Sequence, residues 1–259
     1  LGLSKHLIFP TYSNQQAMAF SKFGNALETY YFEIKENRWH LIFSIFCRVT
    51  LAYAFLVAGW VKIVGERFAS GLSPLHPMGA YLEALHDTGY YYTFIGYAQV
   101  LAAVLLLIPR TVILGALLYL PIIVNIWVLS FAVRFDGSFV TSPMMVLANL
   151  YLLAWNYDKL RYILPFSRYA EEVAVKKTKR YSNSFPFLFF AGVALAMGSV
   201  IWLGQSGIQI MPRNTMKHCK SQFYNSPEEA AGYEFCECIH RDGNSLDDCL
   251  DIFQKSKSP

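Results

Sequence analysis

The sequence predicts an all-α integral membrane protein: an antiparallel four-helix bundle in the bilayer, a fifth transmembrane helix, and a small disulfide-stapled helical hairpin outside. Three observations carry this. The 259 residues are 54% hydrophobic and only 15% charged, whereas a typical soluble domain is about 25% charged. Five stretches approach the run of about 20 apolar residues that crosses a hydrocarbon core of about 30 Å. Four of the five cysteines fall in the tail, at Cys219, Cys236, Cys238 and Cys249.

The first stretch, residues 39–61, carries one formal charge, Arg48. Residues 89–109, 111–133 and 139–157 carry none, and neither does 186–212, whose core is 187–203. Charge-free runs of this length argue against buried helices of a soluble bundle. Pro109 and Arg110 make a tight turn between the second and third spans, and 134–138 (RFDGS) makes another before the fourth. Links this short force antiparallel neighbours, so the first four spans should run up and down. Pro121 and Pro143 lie within or at the start of spans, where membrane helices tolerate proline.

Orientation follows from lysine and arginine. The link 159–185 holds seven of them and only two acids, Glu171 and Glu172, so it is expected on the cytoplasmic side. Five spans then put the N-terminus in the cytoplasm and the tail outside, along with links 62–88 and 134–138. The chain begins on leucine, and residues 1–35 lack the continuous apolar run of a signal peptide. The first span is therefore expected to act as its own insertion signal. The domain division is a cytoplasmic segment 1–38, a membrane bundle 39–164, a basic link 165–185, a fifth helix 186–205 and an extracytoplasmic tail 206–259. The expected place is a bacterial inner membrane with the tail in the periplasm. A net charge of +4 gives no footprint for nucleic acid.

The tail reads as two helices. Ser226, Pro227 and Glu229 supply an N-cap, a first-turn proline and a capping-box acid for a helix running to about His240. Asp242, Gly243 and Asn244 break it. Ser245 and Asp248 repeat the box for a second helix to about Gln254. A unit this small buries little apolar surface and needs staples. Cys236 and Cys238 point to different sides of a helix and are poor partners. Two pairings remain: Cys219–Cys236 with Cys238–Cys249, or Cys219–Cys238 with Cys236–Cys249. Cys236, Cys238, His240, Cys219 and His218 form an alternative metal set, although the spacing lacks the two-residue gap of zinc sites. A reactive exchange dithiol is the third reading. Cys47, inside the first span, reads as a small packing residue.

Ionisable groups at bilayer depth mark functional sites by default. Arg48 is such a group, and its guanidinium must find acceptors. Gln99, Asn125 and Asn149 stand at similar depth on other spans. With Arg48 they could line a polar cavity for a carbonyl, a carboxylate or a lipid headgroup. Alternatively Arg48 snorkels to the nearby headgroups. At the outer rim stand Lys62, which could reach water or Asp136, and Arg134 with Asp136 as interface residues. Gly59 would let a neighbouring helix approach closely. The outer link from Pro77 reads as a short amphipathic helix, apolar at Met78, Tyr81, Leu82 and Leu85. His76, Glu83 and His86 could form a metal or proton-transfer site there, or serve structure alone. Tyr90, Tyr91 and Tyr92 form an aromatic belt.

Residues 48–62, RVTLAYAFLVAGWVK, and residues 99–118, Gln99 followed by VLAAVLLLIPRTVILGALL, resemble the first three helices of DoxX-like membrane proteins. The likeness covers residues 38–164 or so and leaves out the N-terminal segment, the fifth span and the tail. It implies a four-helix bundle. Relatives include subunits linked to quinone reduction, redox-associated membrane partners and accessory proteins. The family often has an acid where Gln99 stands. Three functions are compatible with the residues. The first is a non-catalytic accessory subunit or assembly factor, docking other membrane or extracytoplasmic subunits. The second is a quinone-linked redox protein using Arg48, Gln99, Asn125 and Trp127. The third is a transporter of a small molecule or lipid. No Gly-rich phosphate loop, nucleophile–base motif or haem motif is present in the sequence. That absence favours the first function, and the ligands the other two would take are a quinone or a bound lipid.

Overall fold

The computed structural model describes residues 29–161, 181–206 and 210–257. The N-terminal residues 1–28 and most of the basic link, 162–180, lie outside the described residues, so the expectations for them stand where the sequence left them. Among the described residues every regular element is a helix. Compactness divides the chain into one unit of residues 1–43 with 173–186, and another of 44–172 with 187–259.

In the first unit, Ser182 pairs with the start of a long helix. The Arg38 amide donates to the Ser182 carbonyl at 3.1 Å, and the Ser182 amide donates to the Glu36 carbonyl at 2.8 Å. Asn37 closes the joint, its Nδ2 donating to the Ser184 carbonyl at 2.9 Å while its Oδ1 accepts from the Trp39 amide.

The helices in chain order are α1 (Arg38–Ile63), α2 (Pro77–His86), α3 (Tyr90–Leu107), α4 (Val112–Ala132), α5 (Thr141–Trp155), α6 (Tyr157–Leu160) and α7 (Phe187–Ser206). The tail adds α8 (Met216–Ser221), α9 (Glu229–His240) and α10 (Leu246–Lys257). Four helices, α1, α3, α4 and α7, are long and apolar enough to cross a membrane. At about 1.5 Å per residue they reach roughly 27–39 Å. The fourth expected span is shorter than the sequence predicts. α5 has 15 residues, or about 22 Å. Residues 139 and 140 are spent on the turn, where Phe139 donates its amide to the Phe135 carbonyl. Asn156 then interrupts the helix before the four residues of α6.

Small residues bring the spans together. α3 packs on α4 and α4 on α5. A Cβ on Gly115 of α4 would meet the Leu106 amide nitrogen of α3 at 2.6 Å. α1 meets α3 at a pair of glycines: a Cβ on Gly59 would lie 2.8 Å from the Gly96 carbonyl oxygen, and one on Gly96 equally close to that of Gly59. Close backbone approach of this kind is how membrane helices gain dispersion contacts, since burial from lipid supplies little. Phe55 of α1 stacks on Tyr119 of α4 with ring centroids 3.5 Å apart. By contrast α7 is largely exposed, with only Gly204 of its apolar window buried. It touches α5 through Phe189 against Tyr151 and, at Gly204, the rings and methyls of Phe139 and Val140.

The tail holds three helices rather than the two the sequence suggests. α8 was missed because six residues carry too little periodicity to read. Thr215 caps it, accepting from the His218 amide. The first expected helix starts late, at Glu229. Ser226 caps a preceding turn, with its Oγ accepting from the Glu228 amide, and the Glu229 carboxylate reaches back to the Asn225 amide. The Ser245 box is formed: Ser245 Oγ accepts from the Asp248 amide at 3.2 Å and donates to its carboxylate at 2.6 Å. α10 then runs to Lys257, three residues past the expected end. Phe223, Phe235 and Phe253 interlock as the centre of the tail core, with centroids 5.7–6.3 Å apart.

Candidate functional site

Two regions of the second unit concentrate polar groups: the bundle interior and the junction of the tail with the outer links.

In the bundle the four residues expected to share one cavity are used separately. Arg48 Nε donates to the Leu106 carbonyl at 2.8 Å, and Nη2 to the Leu107 carbonyl at 2.6 Å. These are carbonyls of the last turn of α3, which lack intrahelical partners. A cation at a helix C-terminus also meets the negative end of its dipole. Arg48 is therefore a cap supplied by a neighbouring helix. Asn149, fully buried on α5, donates Nδ2 to the Ala116 carbonyl of α4 at 3.0 Å. Gln99 is buried beside Gly59. Asn125 is not in the interior at all: it lies on the exposed face of α4.

Four buried polar atoms of this interior have no hydrogen-bond partner among the described residues: Gln99 Oε1, Tyr119 OH, Trp127 Nε1 and Asn149 Oδ1. Each such group costs about 1–3 kcal/mol if left unsatisfied. Sequence reasoning missed Tyr119, since one tyrosine among seventeen carries no mark of burial.

Lys62 reaches neither water nor Asp136. It is buried, donates to the Ala58 carbonyl at 3.0 Å, and sits 4.5 Å from the Phe68 ring centroid and 5.8 Å from that of Tyr92. Aromatic faces stabilise a desolvated ammonium by about 2 kcal/mol. His76, Glu83 and His86 do not meet either. Glu83 pairs with Arg67 at 3.0 Å, and His86 Nε2 lies 3.0 Å from the Gly65 carbonyl oxygen. Among the described residues no group of three histidine, cysteine or acidic side chains is placed to hold a metal.

At the junction, the tail meets both outer links. Asp136 accepts two bonds from Arg213 Nη1, at 2.8 and 3.1 Å. Arg134 Nη1 donates to the Ile210 carbonyl at 2.7 Å. Both arginines hold left-handed backbone, φ 49° at Arg134 and 54° at Arg213, a conformation that costs a non-glycine residue about 1 kcal/mol. Their cross-contacts hold them there. Leu75 lies against Gly243, where a Cβ would come 2.9 Å from Leu75 Cδ2. His76 is fully buried at the centre, 5.8 Å from the ring of His240 and 6.2 Å from that of Phe135. Its Nδ1 accepts from the Met78 amide at 3.1 Å and so caps α2. The Nε2 of His240 meets the Pro212 carbonyl at 2.7 Å. Burial, aided by His240 and opposed by Asp136, pushes the His76 imidazole down to about 4.

The tail cysteines fall into the first of the two sequence pairings. Cys219 faces Cys236 and Cys238 faces Cys249, each with Cα atoms 5.7 Å apart and sulfurs at disulfide distance. That uses the thiols of the alternative metal set, and His240 is turned to Pro212 instead. Cys47 is free and buried.

Comparison with known proteins gives one informative likeness. Over 110 residues the chain is 36% identical to YwoB, an uncharacterized protein of Bacillus subtilis (strain 168), covering 40% of this chain and 71% of YwoB. The chain belongs to the YwoB family. No protein-family model and no solved structure matches it. For this YwoB-family chain the functional argument therefore rests on the site geometry: a capped helix end, close backbone approach between spans, and a tail seated on the links.

Proposed function

We propose that this protein is a non-catalytic accessory subunit or assembly factor of a membrane protein complex, built on a DoxX-like four-helix bundle. The carrying observation is Asn125. It stands near the middle of α4, on the exposed face, and no described residue hydrogen-bonds its amide. An amide turned toward hydrocarbon is costly, and membrane proteins satisfy such groups across helix interfaces. A helix from another subunit would complete it. The exposed length of α7 adds a second surface that this chain leaves to lipid or a neighbour. In this reading the tail lies on the extracytoplasmic side of a bacterial inner membrane, stapled by its two disulfides and able to meet a partner there.

Purification in mild detergent from native membranes tests this. The wild type should bring down a membrane subunit in fixed proportion. Asn125→Leu should lose about threefold of that partner, the factor set by roughly 0.6 kcal/mol for an interhelical hydrogen bond in the membrane, while its own thermal midpoint holds. A wild type that runs alone, or an Asn125→Leu protein that keeps its partner in full, refutes the proposal.

The unpartnered Gln99 Oε1 and Trp127 Nε1 support a second reading, a quinone-linked redox component with a polar guest in the bundle. Lipid extraction of the native protein decides it: a stoichiometric quinone supports it and none counts against it.

A further inference from the structure

The junction of tail and outer links contains an imidazole that is used in only one of its two protonation states. His76 has no exposed surface. Its Nδ1 accepts from the Met78 amide, which requires a lone pair there and places the proton of the neutral ring on Nε2. That Nε2 has no hydrogen-bond partner among the described residues. A second proton has nowhere to go without loss. On Nδ1 it would oppose the Met78 amide donor, removing the cap of α2. The resulting cation would be buried beside the Phe135 and His240 rings, with burial opposing it.

The charged and titratable groups around it come from each neighbouring element. His240, at the end of α9, is 5.8 Å away ring to ring. Asp136, on the link after α4, is the acid that favours the charged form, but both its oxygens are taken by Arg213 from the tail segment before α8. Arg134 stands on the same link as Asp136 and feels Asp247 at the start of α10. Phe135 covers the remaining side. Among the described residues no carboxylate hydrogen-bonds His76; Asp136 acts on it only through its charge, and that charge is paired with Arg213.

We propose that the tail is a pH-gated latch: protonation of His76 expels the tail from the outer end of the bundle and frees both its inner face and the start of α2. The tail itself should survive release, because its phenylalanine core and its cysteine pairs are internal to it. Undocking would uncover Leu75, Pro77, Ala80, Ala132 and Val133, which now line a cleft of about 430 Å³ beside residues 243–247. The inference is independent of which side of the membrane the junction occupies.

The sign follows from linkage. The docked state holds His76 down at about 4 against the ordinary 6.5, so the undocked state binds the proton more readily. Docking is then fully favoured above pH 6.5 and weakens as pH falls toward 4. Between pH 7.5 and pH 5 the docked-to-undocked ratio should fall about 30-fold.

Amide hydrogen exchange on the full chain in nanodiscs reads this directly. Protection of the peptide spanning residues 76–82, corrected for intrinsic exchange, should drop about 30-fold from pH 7.5 to pH 5. His76→Asn keeps a capping oxygen for the Met78 amide but cannot be protonated, and its protection should be flat with pH. His240→Gln removes a group that helps hold His76 down, so its drop should be smaller than the wild type's but still present, because burial is the larger cause. Histidine NMR on the unmutated protein supplies a check that needs no variant: one imidazole should stay neutral below pH 5.5 and gain its proton only as the tail leaves. A flat wild-type profile, an equal drop in His76→Asn, loss of the drop in His240→Gln, or a His76 that titrates near 6.5 while docked would each overturn the latch.

Discussion

At the scale of single residues, the polar groups in this membrane protein are placed mainly where backbone would otherwise be unsatisfied. Arg48 shows the pattern. The sequence reveals an arginine at bilayer depth, and depth alone suggests a ligand site. What it cannot reveal is the partner, because the acceptors are main-chain carbonyls of Leu106 and Leu107 and leave no trace in side-chain identity. The same holds for Asn149 on the Ala116 carbonyl. Hydrogen bonds from a charged donor contribute about 1.5–3 kcal/mol each, and water near the interface would recover part of that. Arg48→Ala should therefore lower stability by about 1–3 kcal/mol, and Arg48→Lys, which keeps one donor, by about half as much. Thermal unfolding in a fixed detergent measures both. If Arg48→Ala unfolds at the wild-type midpoint, the cap contributes nothing.

Among elements, legibility in the sequence tracks chemistry that repeats. α1, α3, α4 and α7 are readable because long apolar runs with at most one charge at their centre point to a membrane crossing. α5 was readable as apolar but not as short, since its ends are set by the turn at Phe139 and by Asn156, local events that composition does not encode. In the tail, the spacing of Cys236 and Cys238 excludes their mutual pairing and leaves two choices. The decision lies with α8, which seats Cys219 against α9, and α8 has no signature long enough to read. The glycine pair that joins α1 to α3 is a further element-scale feature, foreseen at Gly59 but not at Gly96. Gly59→Ala must push the Gly96 carbonyl and the Val100 methyl aside, at a cost of about 1–3 kcal/mol. Gly192→Ala on α7 meets nothing within 4 Å and should be neutral or slightly stabilising, as alanine favours helix. Comparing the two midpoints separates a packing contact from a helix-propensity effect; equal shifts would deny the α1–α3 contact.

For the whole molecule, the tail contacts join two lines of argument that the sequence kept apart. Alternation of antiparallel spans puts links 64–76 and 133–140 at one end of the bundle, and the tail touches both through Leu75, His76, Arg134 and Asp136. In the proposed layout, cysteine pairing is what an oxidising compartment would permit for the tail, and the basic link is what the positive-inside rule would keep in the cytoplasm. Charge distribution and thiol chemistry thus agree on one layout. The residues that seal it were only partly visible. His76 and Asp136 stood out as polar rim groups, but Arg213 carried no signal, lying 77 positions from its acid. The most direct test of the layout is thiol labelling of intact cells, after reduction with an agent that stays outside, using a maleimide that cannot cross lipid. The account predicts that Cys219, Cys236, Cys238 and Cys249 label before the cells are opened while Cys47 does not. Tail thiols that react only after lysis would contradict it.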